Sequence, residues 1–245
     1  MKLIHGDCLE IMKKIPDGKI DMILCDLPYG TTACSWDTII PFEPLWQEYK
    51  RIVKDNGAIV LTASQPFTSA LIMSNIKWFK YCWVWDKKKP GAIGIAKYQP
   101  LRYTEDVVVF CKKTHVYNPI MTKRDKIKTS RNYKHSEINA PSLATMTENK
   151  TYTEKYPSNI IEVSNANQRG KVHPTQKPVE LFEYLIRTYT NENDFVLDNC
   201  VGSGTTLLAC QNLNRKGIGI ELEEKYCEAS KQRLEENYNN IINSQ

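Results

Sequence analysis

The chain has 245 residues, of which 41% are hydrophobic and 10% aromatic, enough to build a core and to exclude wholesale disorder. The length suits one large domain, or a core with one sizeable insert. Thirty-three Lys and Arg against 28 Asp and Glu leave a net charge of only +5, so the chain as a whole is not a basic tail protein. Residues 2–5 form a short apolar run ended by Gly6-Asp7. Residues 7–14 place Leu9, Ile11 and Met12 at helical spacing, and Pro16-Asp17-Gly18 is a turn. Residues 20–25 read as a buried strand, bounded by Asp26-Leu27-Pro28-Tyr29-Gly30. A helix is predicted over 44–53, a turn at 55–57, a strand over 58–62 and a helix over 67–73. Strands over 81–85 and 107–111 follow.

The composition then shifts. Residues 112–171 carry twelve Lys and Arg against five Asp and Glu, a net +7 that leaves the rest of the chain at −2. The stretch is poor in aliphatics, shows no sustained period and reads as an insert with long loops. Regular pattern resumes with a helix over 179–189 behind Pro178, a strand over 194–199, a helix over 205–213, a strand over 216–220 and a helix over 223–238. Strand–helix alternation of this kind implies a doubly wound, mostly parallel sheet with helices on both faces.

No window of 18 apolar residues predicts a membrane span. The first seven residues turn polar too early for a secretory leader, so a cytoplasmic location is expected. Eight cysteines, at 8, 25, 34, 82, 111, 200, 210 and 227, form no CxxC pair and predict reduced, mostly buried thiols. No His or Cys pair has metal-ligand spacing, so no metal is expected.

Two motifs carry chemistry. In the first, Phe195-Val196-Leu197-Asp198 runs into Asn199-Cys200-Val201-Gly202-Ser203-Gly204-Thr205-Thr206, and Gly217-Ile218-Gly219-Ile220-Glu221 follows. A strand, a Gly-rich loop, a helix and a second strand ending in an acid suit a ribose-bearing ligand: the glycines admit close approach and the acid accepts both hydroxyls. No Gly-Lys-Ser/Thr follows, which excludes a Walker loop, and Leu207 stands where a dinucleotide fingerprint has its third Gly. The second motif, Asp26-Leu27-Pro28-Tyr29, closes another buried strand. An Asp there can accept from an amino group, a Pro fixes the turn and a Tyr offers a flat face for a base.

Together these motifs resemble the S-adenosylmethionine-dependent DNA amino-methyltransferases (the N6-adenine and N4-cytosine family, of phage or restriction-modification type). The catalytic tetrapeptide precedes the cofactor motif, as in the β class, and the likeness spans roughly residues 1–111 and 172–240. The resemblance implies a Rossmann-like methyltransferase fold with an inserted target-recognition region, S-adenosylmethionine as cofactor and DNA as partner; a homodimer stays open. It divides the chain into a catalytic half, 1–111, a target-recognition insert, 112–171, and a cofactor-binding half, 172–245.

By resemblance, Asp26, Leu27, Pro28 and Tyr29 are catalytic. Gly6-Asp7-Cys8 and His173-Pro174-Thr175-Gln176-Lys177-Pro178 match further family elements. They add Asp7, Cys8, Thr175 and Lys177 to a cofactor set that also holds Asp26, Asp198, Asn199, Cys200, Gly202, Ser203, Gly204, Thr205 and Glu221. Arg102-Tyr103-Thr104-Glu105 resembles an R-x-x-E element, or is a structural ion pair. The expected DNA contacts are Lys123, Arg124, Lys126, Lys128 and Arg131 in the basic stretch. Leu27 departs from the family's Pro, and Asp198-Asn199-Cys200 from its Asp-Pro-Phe. No Pro-Cys dipeptide occurs, which disfavours cytosine-C5 chemistry. The expected activity is methylation of the N6 amino group of a flipped-out adenine. The alternatives are N4-cytosine methylation and a non-catalytic DNA-binding module of the same fold.

Overall fold

The computed structural model describes residues 1–31, 37–91, 93–129, 151–165 and 176–243. Two compact units emerge, Met1–Asn118 with Asn159–Gln245, and Pro119–Ser158.

The larger unit alternates as its apolar pattern predicts. Its first half runs β1 (Lys2–His5), α1 (Cys8–Met12), β2 (Ile20–Cys25), α2 (Phe42–Ile52), β3 (Val53–Ala63), α3 (Phe67–Ser74), β4 (Phe79–Gly91) and β5 (Arg102–Phe110). In the smaller unit lie β6 (Thr122–Thr129) and β7 (Thr151–Lys155). The chain returns with β8 (Ile160–Glu162), α4 (Val179–Tyr189), β9 (Phe195–Asp198), α5 (Thr205–Asn212), β10 (Lys216–Glu221) and α6 (Glu224–Asn243). The main sheet has the order β1-β10-β9-β2-β3-β5-β4-β8. All its pairs are parallel except β3–β5 and β5–β4. The fold is therefore the doubly wound α/β fold expected.

Two apolar clusters sandwich the sheet. Ile23, Cys25, Ile59 and Leu61 join the cluster that holds α1 and α2 residues. Met22, Leu24, Ala58 and Val60 join the one that holds Leu181, Phe182 and Leu185 of α4. Successive strand residues point to opposite faces, so strands covered on both sides read as unbroken apolar runs. In α2 the buried residues Leu45, Trp46, Tyr49 and Ile52 make one helical face.

Four features differ from the sequence reading. The turn expected at 55–57 lies within β3, where its pairing with β2 shifts register. The strand expected over 81–85 extends to Gly91, and the one expected over 107–111 begins at Arg102. Their polar ends pair with each other, Asp86 with Thr104 and Gly91 with Arg102; backbone pairing needs no apolar side chain. The stretch read as an insert with long loops contains β6 and β7, an antiparallel pair whose residues are almost all exposed. A strand with no buried face leaves no period in the sequence. Within the same stretch, β8 lies against β4 in the main sheet.

No helix among the described residues is long and apolar enough to cross a membrane. The seven described cysteines are free thiols, and Cys8, Cys25, Cys111 and Cys210 are buried; Cys34 lies outside the described residues.

Candidate active site

Strand β2 continues outward through β3, whereas its other neighbour, β9, continues through β10 to the opposite edge. Ligands of open α/β sheets bind beyond the carboxyl ends of the strands at such a switch point. A cavity of about 910 Å³ opens there, lined by residues following β1, β2, β3, β9 and β10. All four residues of the tetrapeptide Asp26–Tyr29 line it. So do Asp7, Cys8, Lys177, Asp198, Asn199, Cys200, Gly202, Ser203, Thr205 and Glu221. Thr175 lies outside the described residues.

Asp26 leaves the end of β2 with its carboxylate held from several sides. Oδ1 accepts from the Tyr29 hydroxyl at 2.8 Å and from the Thr62 hydroxyl of β3, and the Lys177 ammonium stands 3.0 Å away. Among the described residues Oδ2 accepts no hydrogen bond. Burial and the Asp26 charge push the Tyr29 phenol well above its ordinary range, so it stays a donor. The Tyr29 ring stacks on Phe67 with centroids 5.2 Å apart. Asp37 holds the turn from behind, its two oxygens accepting from Gly30 N and Thr31 N at 2.9 Å each. Leu27 turns its side chain into the core, so the position asks for an apolar anchor and a backbone carbonyl rather than a proline ring.

Lys177 has a second partner. Its ammonium lies 3.3 Å from Glu105 Oε2, and Lys87 Nζ lies 3.0 Å from Glu105 Oε1. The Lys177–Glu105 contact is an ion pair only, since Oε2 accepts no hydrogen bond among the described residues. Burial alone lowers the Lys177 ammonium, but the Asp26 and Glu105 charges outweigh it and hold the group above its ordinary value. Burial likewise raises the Glu105 carboxyl, and Lys177 and Lys87 reverse this and hold it below. Arg102 donates to Ser64 Oγ at 3.0 Å, not to Glu105, because residues three apart on a strand face opposite sides. The Arg102–Glu105 ion pair weighed from sequence is thus replaced by Lys87–Glu105–Lys177.

At the other end of the cavity stand the acids of β1, β9 and β10. Glu221 closes β10; its Oε2 accepts from Gly202 N at 2.7 Å and its Oε1 from Glu223 N at 2.8 Å. These bonds fix the carboxylate and leave lone pairs for a ligand's hydroxyls. Asp7 caps α1, its Oδ1 accepting from Leu9 N and Glu10 N at 2.8 and 3.1 Å, and still lines the cavity. Asp198 accepts from Cys200 N at 3.0 Å and from the Thr206 hydroxyl. Burial pushes its carboxyl up to about 6. Asn199 accepts from the buried Tyr49 hydroxyl at 2.5 Å. Gly204 is not among the lining residues. It caps α5 at φ +81°, and a Cβ there would meet Ser230 of α6 at 3.1 Å; its place is a packing contact.

Sequence reasoning did not single out Thr62, Lys87 or Asp37. Thr62 and Lys87 sit within strands, where pattern marks them only as exceptions to an apolar or alternating run. Asp37 stands seven residues beyond Gly30, and nothing local ties it to the turn. The expected DNA contacts Lys123, Arg124, Lys126 and Lys128 all lie on β6 of the smaller unit, and Arg131 lies outside the described residues. Arg124 donates through Nε to the Glu154 carbonyl of β7 at 2.8 Å, so it also ties its own sheet.

Comparison with known proteins gives the family. A DNA methylase family profile matches residues 20–232. Type II methyltransferase M.HpaI of Haemophilus parainfluenzae is 29% identical over 97% of this chain and 75% of its own length. Type II methyltransferase M2.LlaDCHI of Lactococcus lactis subsp. cremoris is 30% identical over 95% of this chain and 88% of its own. The crystal structure of the M1.HpyAVI–SAM complex superposes with a TM-score of 0.66 at 29% identity, covering 95% of this chain and 98% of that one. The cytosine-N4-specific PvuII DNA methyltransferase, at 18% identity and a TM-score of 0.68 over 99% of this chain and 93% of that one, shares the fold.

Proposed function

Because the chain belongs to the N6/N4 DNA methylase family, whose members use S-adenosylmethionine to methylate DNA amino groups, we propose that its target is the N6 amino group of an adenine turned out of the duplex. The observation that carries this reading is Asp26. One oxygen is immobilised by Tyr29, Thr62 and Lys177, and the other is without a hydrogen bond among the described residues, on a residue that lines the cavity. Asp26 favours adenine, since the N4-cytosine relatives usually carry Ser in this place.

The cavity fits the cofactor by its donor set and its size. A volume near 910 Å³ lies within the range of about 300–1,000 Å³ usual for cofactor sites. Glu221 would take the ribose hydroxyls, Asp7 the adenine amino group, and the Gly202 backbone admits close approach. When bound, S-adenosylmethionine supplies an electrophilic methyl group on a sulfonium.

The protein's own task is to make a poor nucleophile attack. The lone pair of an adenine amino group is delocalised into the ring. Asp26 Oδ2 accepts one N6–H and the Leu27 carbonyl the other, which draws the nitrogen toward tetrahedral geometry and aims its lone pair across the cavity. Positioning of this kind supplies most of the rate. After transfer the nitrogen holds a surplus proton, and Asp26 is the carboxylate placed to receive it. Tyr29, backed by Phe67 on one face, offers its ring to the extruded base. A base within a duplex could not reach Asp26.

The test is nucleoside mass spectrometry on plasmid DNA from a methylation-deficient host that expresses this chain, beside Asp26→Ala. N6-methyladenine in the wild-type sample alone is the expected result. N4-methylcytosine would keep the mechanism and overturn the base. An active Asp26→Ala enzyme would overturn the mechanism.

A further inference from the structure

The groups around Asp26 form an ordered chain of charges. In the sheet, β2, β3, β5 and β4 are successive neighbours. Asp26 follows β2, Thr62 lies on β3, Glu105 on β5 and Lys87 on β4. Lys177, the residue before the α4 cap Pro178, lies across this row. It reaches Asp26 at 3.0 Å and Glu105 at 3.3 Å, and Lys87 completes the row 3.0 Å from Glu105. Two cations and two carboxylates balance. Lys87, Lys177 and Glu105 have side chains only 7%, 9% and 15% exposed.

Such an array is not a cheap way to stabilise a fold. Desolvating buried ions offsets most of their mutual attraction, and well-packed apolar residues often serve as well or better. Lys177 is also poorly placed to serve a ligand's carboxylate, because its charge is already committed to two carboxylates of the protein. Its effect is local to Asp26: it and Thr62 engage the same oxygen, Oδ1, and leave Oδ2 over.

We propose that Lys177 is a positioning residue for methyl transfer, which clamps Oδ1 of Asp26 so that Oδ2 is presented to the target amino group, and that Glu105 and Lys87 hold Lys177 in place. The inference rests on Asp26 as the acceptor of the amino group. It goes beyond that reading by adding three residues, two of them on further strands, and it moves Lys177 from the cofactor to the nucleophile side of the reaction.

The experiment is single-turnover transfer of a radiolabelled methyl group to DNA at saturating S-adenosylmethionine, with cofactor affinity by calorimetry. Lys177→Met is expected to lose about ten- to hundred-fold in rate at neutral pH and to keep its cofactor affinity. Lys177→Arg should recover part of the rate. Lys87→Met and Glu105→Gln should each lower the transfer rate by less than Lys177→Met and also keep cofactor affinity. That series stands without Lys177→Met should the latter fail to fold. A tenfold loss of cofactor affinity in Lys177→Met, with an unchanged transfer rate at saturation, would overturn the proposal. So would a transfer rate at saturation that stays at the wild-type level in both Lys87→Met and Glu105→Gln. Transfer by Asp26→Ala would instead overturn the reading beneath it.

Discussion

Asp198 shows how one residue can carry both a site and a stability cost. It is buried at the end of β9 and satisfied by the Cys200 amide and the Thr206 hydroxyl, yet burial still raises its carboxyl to about 6. A carboxyl raised in the folded state binds its proton more tightly there than in the unfolded chain. Its contribution to stability is therefore full below about 4 and is lost as pH rises toward 6. Asp198→Asn removes this slope. The variant is expected to gain on wild type as pH goes from 5 to 7; thermal melts at the two values check it, and a constant difference would deny the buried charge. Asp198 was legible in sequence because an acid at the end of an apolar strand before a Gly-rich loop is a local pattern. Asp26 was legible for the same reason. Lys177 was legible only as a cofactor residue and Thr62 not at all: their convergence on one oxygen of Asp26, across 36 positions for Thr62, is made by the sheet order.

At the scale of elements, α5 and β10 show why a glycine fingerprint failed without the architecture failing. The third glycine of a dinucleotide loop lets the helix approach its strand. Here Leu207 occupies that position, and the space comes from the strand instead. A Cβ on Gly219 would lie 2.7 Å from Leu207 Cδ1 and 2.7 Å from Val201 Cγ2, and one on Gly217 2.7 Å from Leu207 Cδ2. Leu207 is fully buried and cannot swing out. Gly219→Ala is thus expected to destabilise the protein by about 1–3 kcal/mol through overpacking. Because Glu221 stands two residues further along β10, cofactor affinity should fall with it. Gly94→Ala, where nothing lies within 4 Å, is the control and should be near neutral. Urea melts with a lowered midpoint and unchanged slope for Gly219→Ala alone would bear this out; equal midpoints would place the helix further from the strand. The elements that sequence missed, β6, β7 and the outer ends of β4 and β5, share one property. They are paired through the backbone while exposing most side chains, and hydrophobic period cannot register such strands.

The whole molecule divides its charge unevenly, and this bears on how it holds DNA. Residues 119–158 carry eight Lys and Arg against four Asp and Glu, so most of the net +5 belongs to the smaller unit. On β6, Lys123, Lys126 and Lys128 are exposed, while Arg124 is partly buried and bonded to Glu154. Phosphate contacts need exposed cations and release counterions, so each one steepens the fall of affinity with salt by about 0.9 in log–log slope. Changing Lys123, Lys126 and Lys128 together to Glu should weaken DNA binding at low salt and flatten that slope by roughly 1 to 3. Arg124 is left in place so that the sheet pairing survives. If methyl transfer at saturating DNA keeps its rate while the slope flattens, the smaller unit grips the duplex and the cavity beside Asp26 does the chemistry. An unchanged slope would move the grip to the larger unit, whose excess of charge is only +1. Binding there would then have to rest on the shape of the cavity mouth and on stacking at Tyr29 rather than on a basic surface.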